Sequence, residues 1–208
     1  MKSNGRYRAT GSEAEFEPGS RGKVLRNKLE IKTLRGIETA ESRAMGPAMK
    51  GFLGLYDSRH RFTSNDIRYM HRVWLGEIYE WAGEYRNVNM SKGNLMFAVA
   101  VHLPSLMGEF EREVLGKQTP CDFSGKNRIV EALARVHVEF ILLHPFREGN
   151  GRLGRMLTAL MAAQAGYPLL NFRVLDGHGK EGYFKAVRCG LDRNYKPMEG
   201  IFRKVLKG

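Results

Sequence analysis

The chain has 208 residues, 42% of them hydrophobic, which suffices for a packed core and excludes a chain disordered throughout. Its 34 Lys and Arg against 22 Asp and Glu leave a net charge of +12, which favours an anionic partner: nucleic acid, nucleotide phosphates, an acidic protein face or an anionic membrane surface. Two cysteines, Cys121 and Cys189, make neither a disulfide framework nor a CxxC metal pair. With no apolar run near the roughly 20 residues of a spanning helix and no secretory h-region, the expected location is the cytoplasm, without membrane association.

Residues 1–22, rich in Gly, Ser, Arg and Glu, read as a mobile arm ahead of one domain over 23–208. Helical patterning is expected from near Val24 through "ETAESRAMGPAMKGFL", with Gly46-Pro47 starting or kinking a helix. "TSNDIRYMHRVWLGEIYEWAG" follows, capped by Ser64 or Thr63, with an apolar stripe at Ile67, Met70, Val73 and Trp74 running on through Ile78 and Trp81. "YRNVNMSKGNLMFAVA" breaks the helical period. Two short runs flank a turn at Ser91-Lys92-Gly93-Asn94, which predicts a β-hairpin and no other sheet. "LPSLMGEFEREVLG" returns to helix, "KQTPCDFSGKN" is a loop, and "NRIVEALARVHVEFILL" is a long apolar helix. "RLGRMLTALMAAQAG" is a further helix closed by Gly166 with Pro168 beyond, and the remainder reads as one or two closing helices. The fold class is therefore all-α with a single hairpin.

The stretch "LLHPFREGNGRLGR", between two apolar helices, carries the chemistry. Leu153, Met156, Leu157, Leu160 and Met161 form one helical face, while Arg152 and Arg155 share another in the first turn. A helix N-terminus disfavours cations, so two arginines there make sense if an anion docks between them. Gly149, Asn150 and Gly151 can aim successive amides at one point, and with the guanidiniums they form a phosphate site. Glu148 offers one hard oxygen ligand, suited to magnesium shared with phosphates. His144 can face the same cleft as a general base. The set reads as phosphoryl or nucleotidyl transfer to a hydroxyl. His60, His71, His102, His137 and His178 lack metal-ligand spacing, and His137 reads as a core residue.

"HPFREGNGRLGR" resembles the motif HxFx(D/E)GNGRxxR of Fic proteins at every specified position, and "HRVWLGEIYEWAGEYRNV", "KVLRNKLEIKT" and "YFKAVRCGLDRNYKPMEGIF" are similar to its flanks, so the resemblance covers roughly residues 22–206. It implies a Fic-type helical core with a β-hairpin flap and transfer of AMP from Mg-ATP to a Tyr, Ser or Thr hydroxyl of a target protein. By motif position His144 would be the base, Phe146 the structural anchor and Glu148 the magnesium ligand. Gly149, Asn150 and Gly151 would form the anion hole, with Arg152 and Arg155 on the phosphates. The hairpin, about 88–98, would align the target by strand pairing, with Asn94, Met96 and Phe97 facing target or adenine. The related Doc branch, a kinase, carries Lys in the second half of the motif; Gly151 and Arg152 follow the AMP-transfer pattern instead.

The family's inhibitory motif (S/T)xxxE(G/N), whose glutamate pairs with the second motif arginine, is absent in strict form. Glu38 in "RGIETAE" has a similar setting with the wrong flanks. The expectation is a separate antitoxin-like inhibitor or none. If the chain is a translocated effector, the host cytosol replaces the cytoplasm as its site of action. A basic nucleic-acid-binding or regulatory protein without transfer activity is the alternative that the charge allows; transfer itself requires no nucleic acid.

Overall fold

The computed structural model describes residues 8–10, 15–168, 170–172 and 179–206, with backbone only for 8–10. Its centre is helix α5 (Lys126–Leu143), buried at Ile129, Val130, Ala132, Leu133, Ala134, Val136, Val138 and Phe140, a set too broad for one face. A helix apolar on several sides must be surrounded, and α5 packs against α6 (Asn150–Gln164), α8 (Lys196–Val205), α7 (Gly179–Cys189) and α3 (Leu103–Phe110). Small residues set the approach. A Cβ at Gly190 would lie 2.1 Å from Val138 Cγ1, so that crossing on α5 excludes a larger side chain, while one at Gly154 would lie 3.1 Å from the Phe140 ring and would require it to shift slightly.

Two helices lean on α6 from the other side. Helix α1 (Leu34–Leu55) starts at Thr33, whose side chain accepts the Gly36 N–H, and α2 (Ser64–Leu75) starts with a capping box between Thr63 and Asp66. Helix α3 runs on through a π-helical turn at Glu111–Leu115 into the short α4 (Gly116–Gln118). No helix among the described residues is long and apolar enough to cross a membrane.

Two sequence expectations change and a third narrows. Residues 24–33 are not helical: the Asn27 side chain takes the Ile31 N–H and donates to the carbonyls of Leu25 and Ile31, and this local bonding competes with a helical ladder. Of the two readings for Gly46-Pro47, a helix start is excluded, because Pro47 lies inside α1, the position a kink requires. The second helix stops at Leu75, short of Ile78 and Trp81. The chain reverses at Gly83 (φ +86°), where a Cβ would meet Arg72 at 2.9 Å.

The hairpin is present as β2 (Asn89–Lys92) and β3 (Leu95–Met96), joined by Gly93-Asn94 alone, so Ser91 and Lys92 belong to a strand and not to the turn. A third strand, β1 (Arg8–Thr10), pairs antiparallel with β2, opposing Arg8 to Ser91 and Thr10 to Asn89. The sheet therefore has the order β1-β2-β3. Within the expected arm, residues 15–22 also fold back: Phe16 bridges to Leu25 and Ser20 is buried. Residues 1–7 and 11–14 of that arm lie outside the described residues.

Candidate active site

The turn from α5 to α6 builds the site. Helix α5 ends at His144, whose backbone is left-handed (φ +50°) and whose N–H closes the last turn on the Phe140 carbonyl at 3.0 Å. Helix α6 begins after Gly149, also left-handed (φ +81°), where a Cβ would sit 2.8 Å from the Trp74 ring, so glycine is required on both counts. Between them Phe146 is fully buried and stacks on His71 with centroids 4.0 Å apart. The Asn150 amide ties the loop to itself, accepting the Phe146 N–H at 2.9 Å and donating to the Phe146 carbonyl at 2.7 Å.

His71 braces this loop from α2. Its Nδ1 accepts the Gly83 N–H at 2.8 Å, so Nε2 carries the proton and donates to the Glu148 carbonyl at 3.1 Å. Burial pushes its pKa down to about 4, so it stays neutral and keeps both bonds.

His144, Glu148, Gly149, Gly151, Arg152 and Arg155 line one cleft of about 720 Å³, closed by Lys92, Leu95 and Phe97 from the hairpin and by Lys180, Tyr183, Phe184 and Arg188 from α7. The hairpin is latched across it by Lys92 Nζ, 3.6 Å from the centre of the Phe184 ring. His144 Nδ1 faces the Ile141 carbonyl at 3.2 Å, which assigns its proton there and leaves Nε2 as the basic nitrogen. The imidazole is buried and covered by Phe97, stacked at 3.8 Å. Burial, joined by the charges of Arg86 and Lys92, lowers its pKa to about 3.

Glu148 turns Oε1 back to accept the Gly149 N–H at 2.9 Å and lies 3.6 Å from Arg152 Nη2. Arg152 is paired more tightly, at 2.7 Å, with buried Glu41 of α1, and its guanidinium lies 4.8 Å from the Trp74 ring centre. Burial alone would lower the Arg152 pKa; Glu41, joined by Glu148 and Tyr79, offsets it and holds the pKa above the ordinary value. Arg155 stands over the Phe172 ring at 6.0 Å. Among the described residues no cluster of three or more His, Cys, Asp or Glu side chains could hold a metal ion, and Glu148 is the carboxylate that lines the cleft beside the motif glycines.

Of the residues singled out in the sequence, the structure brings His144, Glu148, Gly149, Gly151, Arg152 and Arg155 to one cleft. The Asn150 side chain is turned to the loop's own backbone at Phe146. Phe97 is buried, stacked on His144, and lines the same cleft. Asn94 and Met96 are exposed near the hairpin tip and away from the cleft lining.

Three positioning residues escaped the sequence. Glu41 and His71 sit on helices distant in sequence and carry no motif. Arg86 is the third: it is buried, donates from Nε to the His144 carbonyl at 2.7 Å, and holds Val88 and Ala98 at the two ends of the hairpin through Nη1 and Nη2. A lone arginine after an aromatic gives no signal of this; only the return of three chain segments to one point does.

Residues 61–162 match the Fic/DOC family. The chain is 28% identical to a probable protein adenylyltransferase Fic of Escherichia coli strain K12, over 88% of each chain. It is 31% identical to the protein adenylyltransferase VbhT of Bartonella schoenbuchensis over 69% of its own length but only 30% of that protein's. Among solved structures, the N-terminal FIC domain of the Bartonella effector Bep8 superposes with a TM-score of 0.74 at 21% identity, covering 88% of this chain and 91% of that one. BepC of Bartonella tribocorum, solved with AMPPNP, superposes at 0.71 and 20% identity over 87% and 91%. These two likenesses show a shared fold.

Proposed function

The chain belongs to the Fic/DOC family, and on that premise we propose that it transfers AMP from Mg-ATP to a Tyr, Ser or Thr hydroxyl of a target protein. The observation that carries this reading is the convergence of His144, Glu148, Arg152 and Arg155 on one cleft at the N-terminus of α6. In the reaction, the target oxygen bonds to the α-phosphorus, the bond to the bridging α–β oxygen breaks, and pyrophosphate leaves. His144 Nε2 accepts the hydroxyl proton. Its Nδ1–H stays on the Ile141 carbonyl, so the ring cannot rotate away from that task. Arg152, Arg155 and the first-turn amides hold the phosphates and offset the charge that gathers on the leaving oxygens. Glu148 would hold a magnesium ion, which when bound neutralises phosphate charge.

The test is incubation with α-labelled and γ-labelled ATP. Label from the α position alone supports the reading, and label from the γ position alone means kinase chemistry. His144→Ala is expected to slow transfer by about 10²–10⁴-fold with the far-UV circular dichroism unchanged. A separate inhibitory subunit remains part of the proposal. What supports it is an apolar cavity of about 430 Å³ beside Arg155, lined by Met45, Met49, Met156 and Phe172; flexible methionines suit an adaptable contact. Action in the cytoplasm, or in a host cytosol after translocation, is likewise proposed.

A further inference from the structure

We infer that Glu41 is a positioning residue for the phosphate site: a carboxylate from α1 that fixes Arg152 in the pose from which it meets a nucleotide's phosphates. The inference rests on the reading above for the presence of a nucleotide. Its geometry stands alone. Glu41 is 3% exposed and both its oxygens are used, Oε2 by Arg152 Nη1 at 2.7 Å and Oε1 by the Tyr79 hydroxyl at 2.7 Å. Its backbone is held as well, since the Trp74 indole N–H donates to the Glu41 carbonyl at 2.9 Å. That same indole forms the floor under the guanidinium. Arg152 is thus gripped on its edge by one acid and supported on its face by one ring, with its second amino group turned towards Glu148.

A long side chain free in a cleft loses rotamer freedom when it clasps a phosphate; one already clamped has lost it during folding. Arginine suits the clamp because its fork can offer one edge to a carboxylate and keep other N–H groups for a ligand. Glu41 lies outside the stretch matched to the family and outside the HPFREGNGRLGR motif. It also pairs with the first motif arginine and not the second, so it is not placed as a glutamate that competes with a terminal phosphate at Arg155.

The full-length chain is compared with Glu41→Gln, Glu41→Asp and Tyr79→Phe by titration with ATP, ADP and AMP in the presence and absence of magnesium, and by transfer of α-labelled AMP. Glu41→Gln is expected to weaken ATP and ADP binding about tenfold or more while AMP binding changes far less, with or without metal. Glu41→Asp should recover part of the loss and Tyr79→Phe should show a smaller one. Three results overturn the inference: faster transfer by Glu41→Gln, which makes the contact inhibitory; equal losses for all three nucleotides; or a lower melting temperature with unchanged nucleotide affinity, which makes Glu41 a structural brace. If the wild-type chain transfers no AMP, the functional reading fails, while the three-nucleotide comparison still decides the role of Glu41.

Discussion

As the proposed base, His144, with a pKa of about 3, is neutral at every physiological pH but weak. Phe97 is one reason, since its ring seals the imidazole from water. Phe97→Ala is expected to raise the His144 pKa towards 6.5, with Arg86 and Lys92 still holding it below that value. The catalytic form is the neutral ring, so the acid limb of kcat/KM moves to higher pH; an unmoved limb would show that Phe97 does not shield the base. Two other buried histidines act on stability. His71 and His137 each have a folded pKa near 4, against about 6.5 in the unfolded chain. Below pH 6.5 the unfolded chain binds protons that the folded chain refuses. Stability is therefore lost as pH falls from about 6.5 to 4, by up to about 1.4 kcal/mol per pH unit for each ring. Melting curves across that window, with His137→Gln showing a shallower slope, check this. His137 was legible as a core residue from its place on an apolar helix; His71 was not, because nothing in "RYMHRV" says that its ring will find the Gly83 amide and the Glu148 carbonyl.

At the scale of elements, the hairpin and the catalytic turn are one unit because Arg86 joins them. Lysine has one ammonium where arginine has a fork, and cannot hold three separated carbonyls at once. Arg86→Lys is expected to speed hydrogen exchange at the paired amides of the hairpin, such as Phe97 N–H to the Met90 carbonyl, by at least about tenfold, while α5 stays protected. Equal acceleration in α5 would mean global destabilisation. Helices α5 and α6 were legible because their apolar residues recur at the helical period over many turns. The end of α2 was not: the apolar series at Ile78 and Trp81 continues in sequence, but the helix ends at Leu75 and the chain turns at Gly83, so both residues pack without a helix. Likewise Thr33 marks the true start of α1, a cap masked by the apolar residues before it.

At the scale of the whole molecule, the site draws on α1, α2, the hairpin, the α5–α6 turn and α7. The motif alone located the turn and its acid, base and arginines, since those residues are contiguous. Their partners come from elements far apart in the chain, and no local pattern reports such a meeting. The comparison of Glu38 with Glu41 shows this. They are three residues apart on α1, yet Glu38 is exposed while Glu41 is buried against Arg152. Glu38→Gly is therefore expected to leave the rate of AMP transfer unchanged, apart from a small loss of helix stability of about 1 kcal/mol. A rate increase on that substitution would reveal inhibition exerted from within the chain.

The left-handed backbone at position 144 bears on how the protein should be silenced for study. Histidine and asparagine are enriched in that conformation and alanine is not, so His144→Ala adds backbone strain at the hinge between the two central helices. Asparagine tolerates that conformation far better, and its amide has no basicity near neutral pH. His144→Asn is accordingly the cleaner inert form for trapping a bound target or nucleotide.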